Sequence, residues 1–248
     1  YDGSKFFMDP KISMDIQQTL NSDIAMILDS LIDINKEYDE QLNAINTTQQ
    51  WANIARNYHT NNNQSLFGIV QGGKHKELRE KSATDMMTID FDGYAIGGLA
   101  IGETPEERKE IVNFTVEMLP KDKLRYVMGL GDIEGMLELI ELGVDIFDCV
   151  WPARLARHGK IINKGKFLNL KNSKYKKDTD PLVVGCRCFV CLNFSKAYLR
   201  HLLTNDPTSA WFYLTLHNII QTENILNEVK KSILNSEFDK YKESILNG

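Results

Sequence analysis

The sequence has 248 residues, of which 42% are hydrophobic and 25% are charged, a composition typical of a globular protein. No apolar run reaches the roughly 20 residues that a membrane-spanning helix needs, and Tyr1 does not begin a signal peptide. The formal net charge of -5 at pH 7 does not by itself indicate a nucleic-acid-binding protein.

Short apolar segments alternate with longer amphipathic ones in the first part of the chain. The short segments lack a two-residue alternation, which is typical of strands buried on both faces of a parallel sheet. They cover residues 25–28, 66–70, 94–98, 126–130 and 146–150. This order predicts an α/β fold, either a doubly wound sheet or the last five strand–helix units of a (β/α)8 TIM barrel.

Helices are predicted between these strands because apolar residues recur there at intervals of three to four. The predicted helices cover residues 38–55 and 74–87, a segment that starts at residue 104, and residues 132–142. Thr104 followed by Pro105 is a favourable helix start, and Pro120 is expected to stop that helix. Gly143 is expected to cap the helix before it in a left-handed conformation.

Polar residues or glycines lie at the carboxyl ends of the predicted strands. They are Asp29, Gln71, Gly98 with Leu99, Gly129 and Asp148. In barrels and in open α/β sheets alike, these strand ends line the active site, so the residues predict a pocket. Alternatively, Asp29 and Gln71 could each cap the helix that follows. The glycine-rich residues 97–102 lack the dinucleotide-binding spacing and are expected to let a planar ligand approach the backbone.

Asp148 is a carboxylate within an apolar strand. A buried carboxylate is costly unless it is paired or used, so Asp148 is either bonded to neighbouring backbone amides or catalytic. Its neighbour Cys149 is expected to be a small apolar core residue.

A basic block follows, because the chain has no acidic residue between Cys149 and Lys177. Its basic residues are Arg154, Arg157, Lys160, Lys164, Lys166, Lys171, Lys174, Lys176 and Lys177. Such a block is either a solvated, loop-rich face or a phosphate-binding strip.

A cysteine cluster at Cys186, Cys188 and Cys191 is too dense for a disulfide framework and indicates a metal site in a reducing compartment, hence a cytoplasmic protein. With a histidine it would fill the tetrahedral shell of a structural Zn2+. His217 is favoured as the fourth ligand, although spacing alone does not exclude His201. The cluster is expected to form a small zinc subdomain, with helices near residues 195–203, 210–226 and 237–246.

Several motifs in order resemble those of the tRNA-guanine transglycosylases. They are residues 67–73 (FGIVQGG), 91–103 (FDGYAIGGLAIGE), 125–129 (RYVMG), 145–150 (DIFDCV) and the set Cys186, Cys188, Cys191 and His217. The resemblance implies a (β/α)8 barrel with a zinc subdomain. Residues 1–158 would then be the C-terminal part of the barrel, 159–217 the basic stretch and zinc subdomain, and 218–248 helices that pack on the barrel.

The same resemblance implies a transferase of queuosine biosynthesis that exchanges guanine at the tRNA wobble position for 7-aminomethyl-7-deazaguanine. Asp148 would be the nucleophile that forms a covalent tRNA intermediate. The implied base-binding residues are Asp29, Gln71, Gly98, Leu99, Ile101, Glu103 and Met128. Arg154 and Arg157 would bind the tRNA backbone, and Phe194, Tyr198 and His201 would contribute to a homodimer.

Departures from the family pattern leave two alternatives open. Ile101 stands where bacterial members have valine and eukaryotic ones have glycine, and its branched side chain favours the small base over bulky queuine. Leu31 replaces a bacterial cysteine that eukaryotic members also lack, so a queuine-using enzyme of eukaryotic type is one alternative. The family's second aspartate, a general acid/base, lies upstream of the position that matches Tyr1. The resemblance therefore implies that the N-terminal third of the barrel is missing, and it leaves open a non-catalytic tRNA-binding partner subunit.

Overall fold

A computed structural model describes residues 3–99 and 101–247. The chain divides into two compact units. The first unit comprises the chain up to Leu130 together with Glu138–Asp148. The second comprises Gly131–Leu137 and the chain from Cys149 onward. The three-part division suggested by the sequence stays a prediction.

The first unit contains one five-stranded parallel sheet. Its strands are β1 (Ile24–Met26), β2 (Ser65–Val70), β3 (Gly93–Ile96), β4 (Leu124–Val127) and β5 (Ile146–Phe147). They pair in the order β1-β2-β3-β4-β5, so every neighbour in the sheet is also a neighbour in the sequence. A doubly wound sheet reverses its strand order at a switch point, whereas a (β/α)8 barrel does not. The sheet therefore confirms the barrel type of winding.

One helix precedes the first strand, and one helix follows each of the first four strands. They are α1 (Pro10–Leu20), α2 (Tyr38–Tyr58), α3 (Lys76–Ile89), α4 (Pro105–Met118) and α5 (Ile133–Glu141). The four helices predicted between the strands are confirmed, with starts that shift by up to two residues. Helix α1 is absent from the predicted elements, although Asp9 caps it and Pro10 opens it, an ordinary start signal.

The predicted helix boundaries at Thr104 and Gly143 are confirmed in detail. The Thr104 hydroxyl accepts a hydrogen bond from Glu107 N (3.2 Å), and the Glu107 carboxylate accepts one from Thr104 N (2.8 Å), which forms a capping box. Helix α4 ends at Met118, two residues before Pro120. Gly143 follows α5 with φ +94°, a conformation that only glycine adopts without strain.

Strands β3, β4 and β5 stop earlier than their apolar segments predict. Gly98 has φ +71° and Gly129 has φ +73°, so the backbone leaves the extended region at both positions. Strand β5 stops at Phe147, and Asp148 is therefore outside the sheet. The residues that close these three segments form loops at the carboxyl edge of the sheet.

The core of the first unit lies between this sheet and its helices. It includes the fully buried side chains of Leu66, Ile69, Ile96 and Val127 from the strands, and that of Met86 from α3. Every residue of β3 is buried, as expected for a strand covered on both faces.

The second unit is mostly helical and has its own core around Ile161, Val190, Leu199 and Leu214. Its elements are α6 (Trp151–Arg157), β6 (Lys160–Asn163), β7 (Lys166–Asn169), a 3-10 helix (Ser173–Lys177), α7 (Phe189–Asn193), α8 (Lys196–Asn205), α9 (Pro207–Leu234) and α10 (Phe238–Asn247). None of the helices within residues 3–99 and 101–247 has the length and hydrophobicity that a membrane-spanning helix requires.

Residues 160–169 of the basic block form paired strands and not loops, so the loop-rich part of that alternative is wrong here, whereas Lys160, Lys164 and Lys166 are exposed to solvent as it predicts. Strands β6 and β7 form an antiparallel hairpin, and both residues of its turn, Lys164 and Gly165, have positive φ. Such turns suit the twist of a hairpin. Ile161 and Ile162 are fully buried although consecutive strand residues point to opposite faces, so β6 is covered on both faces at these two residues.

Candidate active site and metal centre

Asp29 and Gln71 form a pair at the carboxyl ends of β1 and β2. The Gln71 amide Nε2 donates a hydrogen bond to Asp29 Oδ2, while the Gln71 backbone N donates to Ser82 Oγ (3.0 Å). Neither residue caps a helix, because Glu37 and His75 occupy the N-cap positions of α2 and α3. Burial raises the pKa of Asp29, and the hydrogen bond from Gln71 counteracts this rise only in part. The capping alternative is therefore wrong for both residues.

The glycine-rich loop after β3 packs directly against Gln71. A Cβ atom on Gly97 would lie 2.6 Å from Gln71 Nε2, and one on Gly98 would lie 2.9 Å from Gln71 Oε1. Gly97 N donates to Val70 O (2.9 Å), which ties the loop to the end of β2. Glycine is required here because any side chain would displace the Gln71 amide. Leu99 is buried in the core, and Ala100 lies outside the described residues.

Ile101, Glu103 and Met128 extend the same edge. Ile101 N donates to Glu103 Oε2 (3.1 Å), so the glutamate fixes the backbone of the glycine-rich loop. Ile101 and Met128 are partly buried against the core of the first unit. The two apolar side chains can thus present surface to a planar ligand without losing their own packing.

Asp148 is exposed and lies just beyond β5, so its placement inside a buried strand is corrected. Its Oδ1 accepts hydrogen bonds from Tyr126 Oη (2.6 Å) and from Gly129 N (2.7 Å). Because both donors bind Oδ1, they orient the carboxylate, and neither of them binds Oδ2. Burial, and then the bond to Asp148, raises the pKa of Tyr126, so this phenol stays protonated and acts as a donor.

Tyr126 is the part of this group that the sequence reasoning missed. It lies in the RYVMG motif, yet nothing local in the sequence distinguishes it from other strand residues. The useful signal is the parallel pairing of β4 and β5, which sets Tyr126 opposite Ile146. Cys149, expected to be a core residue, is only half-buried, and its Sγ lies 3.5 Å from Gly131 O.

The second unit brings Cys186, Cys188, Cys191 and His217 together. One ligand atom from each residue lies within 4.8 Å of the others. His217 Nδ1 lies 3.4 Å from both Cys188 Sγ and Cys191 Sγ. In a zinc tetrahedron with ordinary bond lengths these atoms would be roughly 3.5 to 3.8 Å apart, so the four residues fit a metal ion. His201 is exposed and its Nδ1 contacts Asn205 Nδ2 instead.

Outer groups orient these four side chains. His217 is fully buried and its Nε2 lies 3.0 Å from Ile162 O, so Nε2 carries the proton and the lone pair of Nδ1 faces the thiols. Burial lowers the pKa of His217 and keeps the imidazole neutral, as a metal ligand must be. Gln221 Nε2 donates to Cys186 Sγ (3.2 Å), which was not foreseen from the sequence.

Arg154 and Arg157 belong to α6 of the second unit. Both are exposed, and their spacing of three places them on one face of the helix.

A family model described as Queuine tRNA-ribosyltransferase matches residues 1–248. The chain belongs to the queuine tRNA-ribosyltransferase family. Its sequence is 40% identical over 248 residues to a protein of that name from Dictyoglomus turgidum, with 99% of this chain and 64% of the relative covered. This match confirms the family resemblance that the motifs indicate, and it confirms the barrel fold class.

Other queuine tRNA-ribosyltransferases are comparably similar to the chain. The identity is 42% over 245 residues with the protein from Thermotoga petrophila, covering 99% of this chain and 66% of the relative. It is 38% over 245 residues with that from Francisella tularensis subsp. novicida, covering 99% and 67%. The chain thus spans about two thirds of the length of these family members.

Proposed function

We propose that the chain acts as a tRNA-guanine transglycosylase, a pentosyltransferase of queuosine biosynthesis that exchanges guanine at the tRNA wobble position for 7-aminomethyl-7-deazaguanine. One observation carries the proposal. The Asp29–Gln71 pair, the glycine-rich loop and Asp148 all lie at the carboxyl edge of one parallel sheet. A base-sized planar ligand and a nucleophile can therefore meet there.

Base recognition rests on the polar groups of this edge. Guanine presents two parallel N–H donors, N1 and the 2-amino group, and a carboxylate such as Asp29 can accept both. Gln71, Gly98 and Leu99 would bind the remaining polar edge of the base, and Ile101 and Met128 would contact its plane. Glu103 would hold the loop backbone in place.

Asp148 would perform the covalent step. Its carboxylate oxygen attacks C1′ of the wobble ribose, the C1′–N9 bond breaks, and its electron pair leaves with guanine, which takes up a proton. N9 of the incoming base, having lost its own proton, then displaces the carboxylate and restores Asp148. Tyr126 and Gly129 keep the carboxylate oriented for both attacks.

The choice of incoming base would depend on Ile101. Its branched side chain is partly buried at the glycine-rich loop, where it would crowd the bulky ring of queuine. The small 7-aminomethyl base is therefore the proposed substrate. A queuine-using enzyme is the alternative, because the exposed Leu31 departs from the bacterial pattern.

The second unit would bind tRNA and a structural Zn2+. Arg154 and Arg157 suit phosphate because guanidinium groups donate in a fork. Three thiolates and an imidazole complete a zinc shell and leave no site for water, so the metal would stabilise the fold. Thiols kept reduced for the metal support a cytoplasmic location.

A homodimer is also proposed, formed by an aromatic surface of the second unit. Phe194 stacks on Tyr198 with ring centroids 5.3 Å apart, and Tyr198 and His201 are exposed. Exposed aromatic clusters of this kind are typical of protein interfaces.

The exchange reaction tests the proposed enzyme. The chain, and the same chain joined to the part of a relative outside the matched region, would be incubated with tRNA carrying radiolabelled wobble guanine. The small base and queuine would be supplied separately. We expect release of label with the small base, and a covalent tRNA adduct on a denaturing gel. Asp148→Asn should abolish both, because an amide is a poor nucleophile.

Asp145→Asn is the matched control for Asp148→Asn. It makes the same chemical change at the other end of β5, where Asp145 accepts a hydrogen bond from Arg125 N (2.9 Å), and it should retain exchange. Release with queuine alone would favour the alternative substrate. If neither protein released label although both bound tRNA, the chain would instead be a non-catalytic tRNA-binding partner.

A further inference from the structure

Arg79 is a buried cation behind the glycine-rich loop. Only 1% of its surface is exposed, which makes it one of the largest fully buried side chains among the described residues. Burial lowers the pKa of Arg79 to about 10, with Glu103 opposing this change, so the guanidinium is still charged at neutral pH. Burying a charge is costly, and a position that retains one requires a physical reason.

The guanidinium connects the loops that follow β2 and β3. Arg79 Nε donates to Gly73 O (2.8 Å), and Nη2 donates to Gly97 O (3.1 Å). A Cβ atom on Gly72 would lie 2.7 Å from Arg79 N, so glycine is needed for this close approach. Helix α3 thus holds both loops through Arg79, in addition to the bond from Gln71 N to Ser82.

The bond to Gly97 O fixes the direction of the next amide. In a planar trans peptide the C=O and N–H groups point in opposite directions. Because Gly97 O points towards Arg79, the N–H of Gly98 must point away from α3. Gly98 also has φ +71°, a region where a glycine backbone can rotate readily unless it is held.

We propose that Arg79 is a positioning residue that fixes the Gly97–Gly98 peptide so that the Gly98 N–H is presented to the base. This inference rests on the proposed function, in which Gly98 contacts the base edge. Arg79 itself does not touch the substrate. Its forked donors are required because a single ammonium group cannot reach two carbonyls from different loops in the same geometry.

Arg125 provides a matched control within the same unit. It is also buried, with 9% of its surface exposed, and its Nη2 and Nη1 donate to Leu119 O (3.0 Å) and Gly143 O (3.3 Å). These carbonyls belong to the connections that precede β4 and β5, on the amino side of both strands. Replacing Arg125 therefore removes a buried fork without disturbing the loop after β3.

The experiment compares Arg79→Met and the milder Arg79→Lys with Arg125→Met. Amide hydrogen exchange at residues 97–99 reports on the loop directly, and calorimetry with guanine and with the 7-aminomethyl base reports on affinity. We expect both Arg79 variants to exchange faster at residues 97–99 and to bind either base about tenfold more weakly, as loss of the hydrogen bond from the Gly98 N–H to the base implies. Arg125→Met should lose thermal stability yet keep base affinity within about twofold of the unmodified chain.

Each outcome decides a different claim. Unchanged exchange at residues 97–99 in Arg79→Met, or wild-type affinity in Arg79→Lys, would overturn the positioning role. An equal loss of base affinity in Arg125→Met would show that Arg79 affects base binding only through the general stability of the fold. Faster loop exchange in a protein whose unmodified form binds neither base would support the positioning role and contradict the proposed function instead.

Discussion

Asp29 and Asp148 are two carboxylates at one sheet edge in different environments. Asp29 is partly buried beside Gln71, and this burial raises its pKa. Asp148 is exposed and receives two hydrogen bonds on one oxygen. A desolvated carboxylate is suited to hold a ligand's donors, whereas an accessible, oriented one is suited to attack a carbon that arrives from solvent.

The raised pKa of Asp29 leads to a prediction about stability and pH. Because the folded-state pKa lies above the unfolded value, ionisation of Asp29 destabilises the fold at neutral pH. Asp29→Asn should therefore unfold at a higher temperature at pH 7, and this gain should vanish as the pH falls below the ordinary aspartate range. The same variant should bind guanine roughly 10- to 100-fold more weakly, since the Asn side chain offers one acceptor oxygen and an NH2 group, and the NH2 cannot accept the second of the two parallel N–H donors.

Thermal unfolding from pH 3 to 8 and calorimetry with guanine would measure both effects. Asp122→Asn, which alters an exposed aspartate, is the control and should change neither quantity. A lower unfolding temperature for Asp29→Asn at pH 7 would mean that the ionised carboxylate stabilises the fold, which contradicts the destabilisation expected from its raised pKa.

At the scale of single residues, the sequence predicts which polar side chains lie at the site, but it does not predict the hydrogen bonds that position them. Asp29, Gln71 and Asp148 follow from their positions at strand ends. Arg79 has no such signal, because its role depends on two loops that meet only after the strands pair. His217 could not be separated from His201 by spacing, because the choice depends on which face of α9 is buried.

Secondary structure elements were predictable where the physical signal is local. Strands β2 and β3 are continuous apolar runs, and α4 has a cap, a proline and two glutamates in its first turn. The sequence predicts carboxyl ends of β3, β4 and β5 that extend too far, because apolar residues continue beyond these strands into the loops that follow them. The sequence does not reveal the β6–β7 hairpin, because its lysines obscure the short run of Ile161 and Ile162, which the fold buries on both faces of β6.

The capping box of α4 provides a prediction for a single element. Thr104→Ala removes the side chain that accepts from Glu107 N, so it should lower the free energy of unfolding by about 1 kcal/mol. Thr88→Ala is the control, because it makes the same change on the exposed face of α3, where alanine is the better helix former. Urea denaturation would measure both, and a Thr104→Ala variant as stable as Thr88→Ala would show that the cap contributes little.

Across the whole molecule, the two units obtain their stability differently. The first has an apolar core between a parallel sheet and its helices, built from residues such as Leu66 and Ile96. The second has a core of its own that includes Cys188 and Cys191, and burial raises the pKa of both thiols. Without a cation these buried thiols add little beyond their small apolar volume, so this unit should depend on a metal for its stability.

Metal removal should therefore affect the two units unequally. A strong chelator, or Cys191→Ser, should release one Zn2+ per chain and abolish the amide hydrogen-exchange protection of α7, α8 and α9. Strands β2 and β3 should stay protected, because their core contains no ligand residue. Cys149→Ser is the control, since it removes the one cysteine outside the cluster and should leave the metal content unchanged. If Cys191→Ser kept its metal, or if protection fell equally in both units, the cluster would not be the structural metal site proposed for this unit.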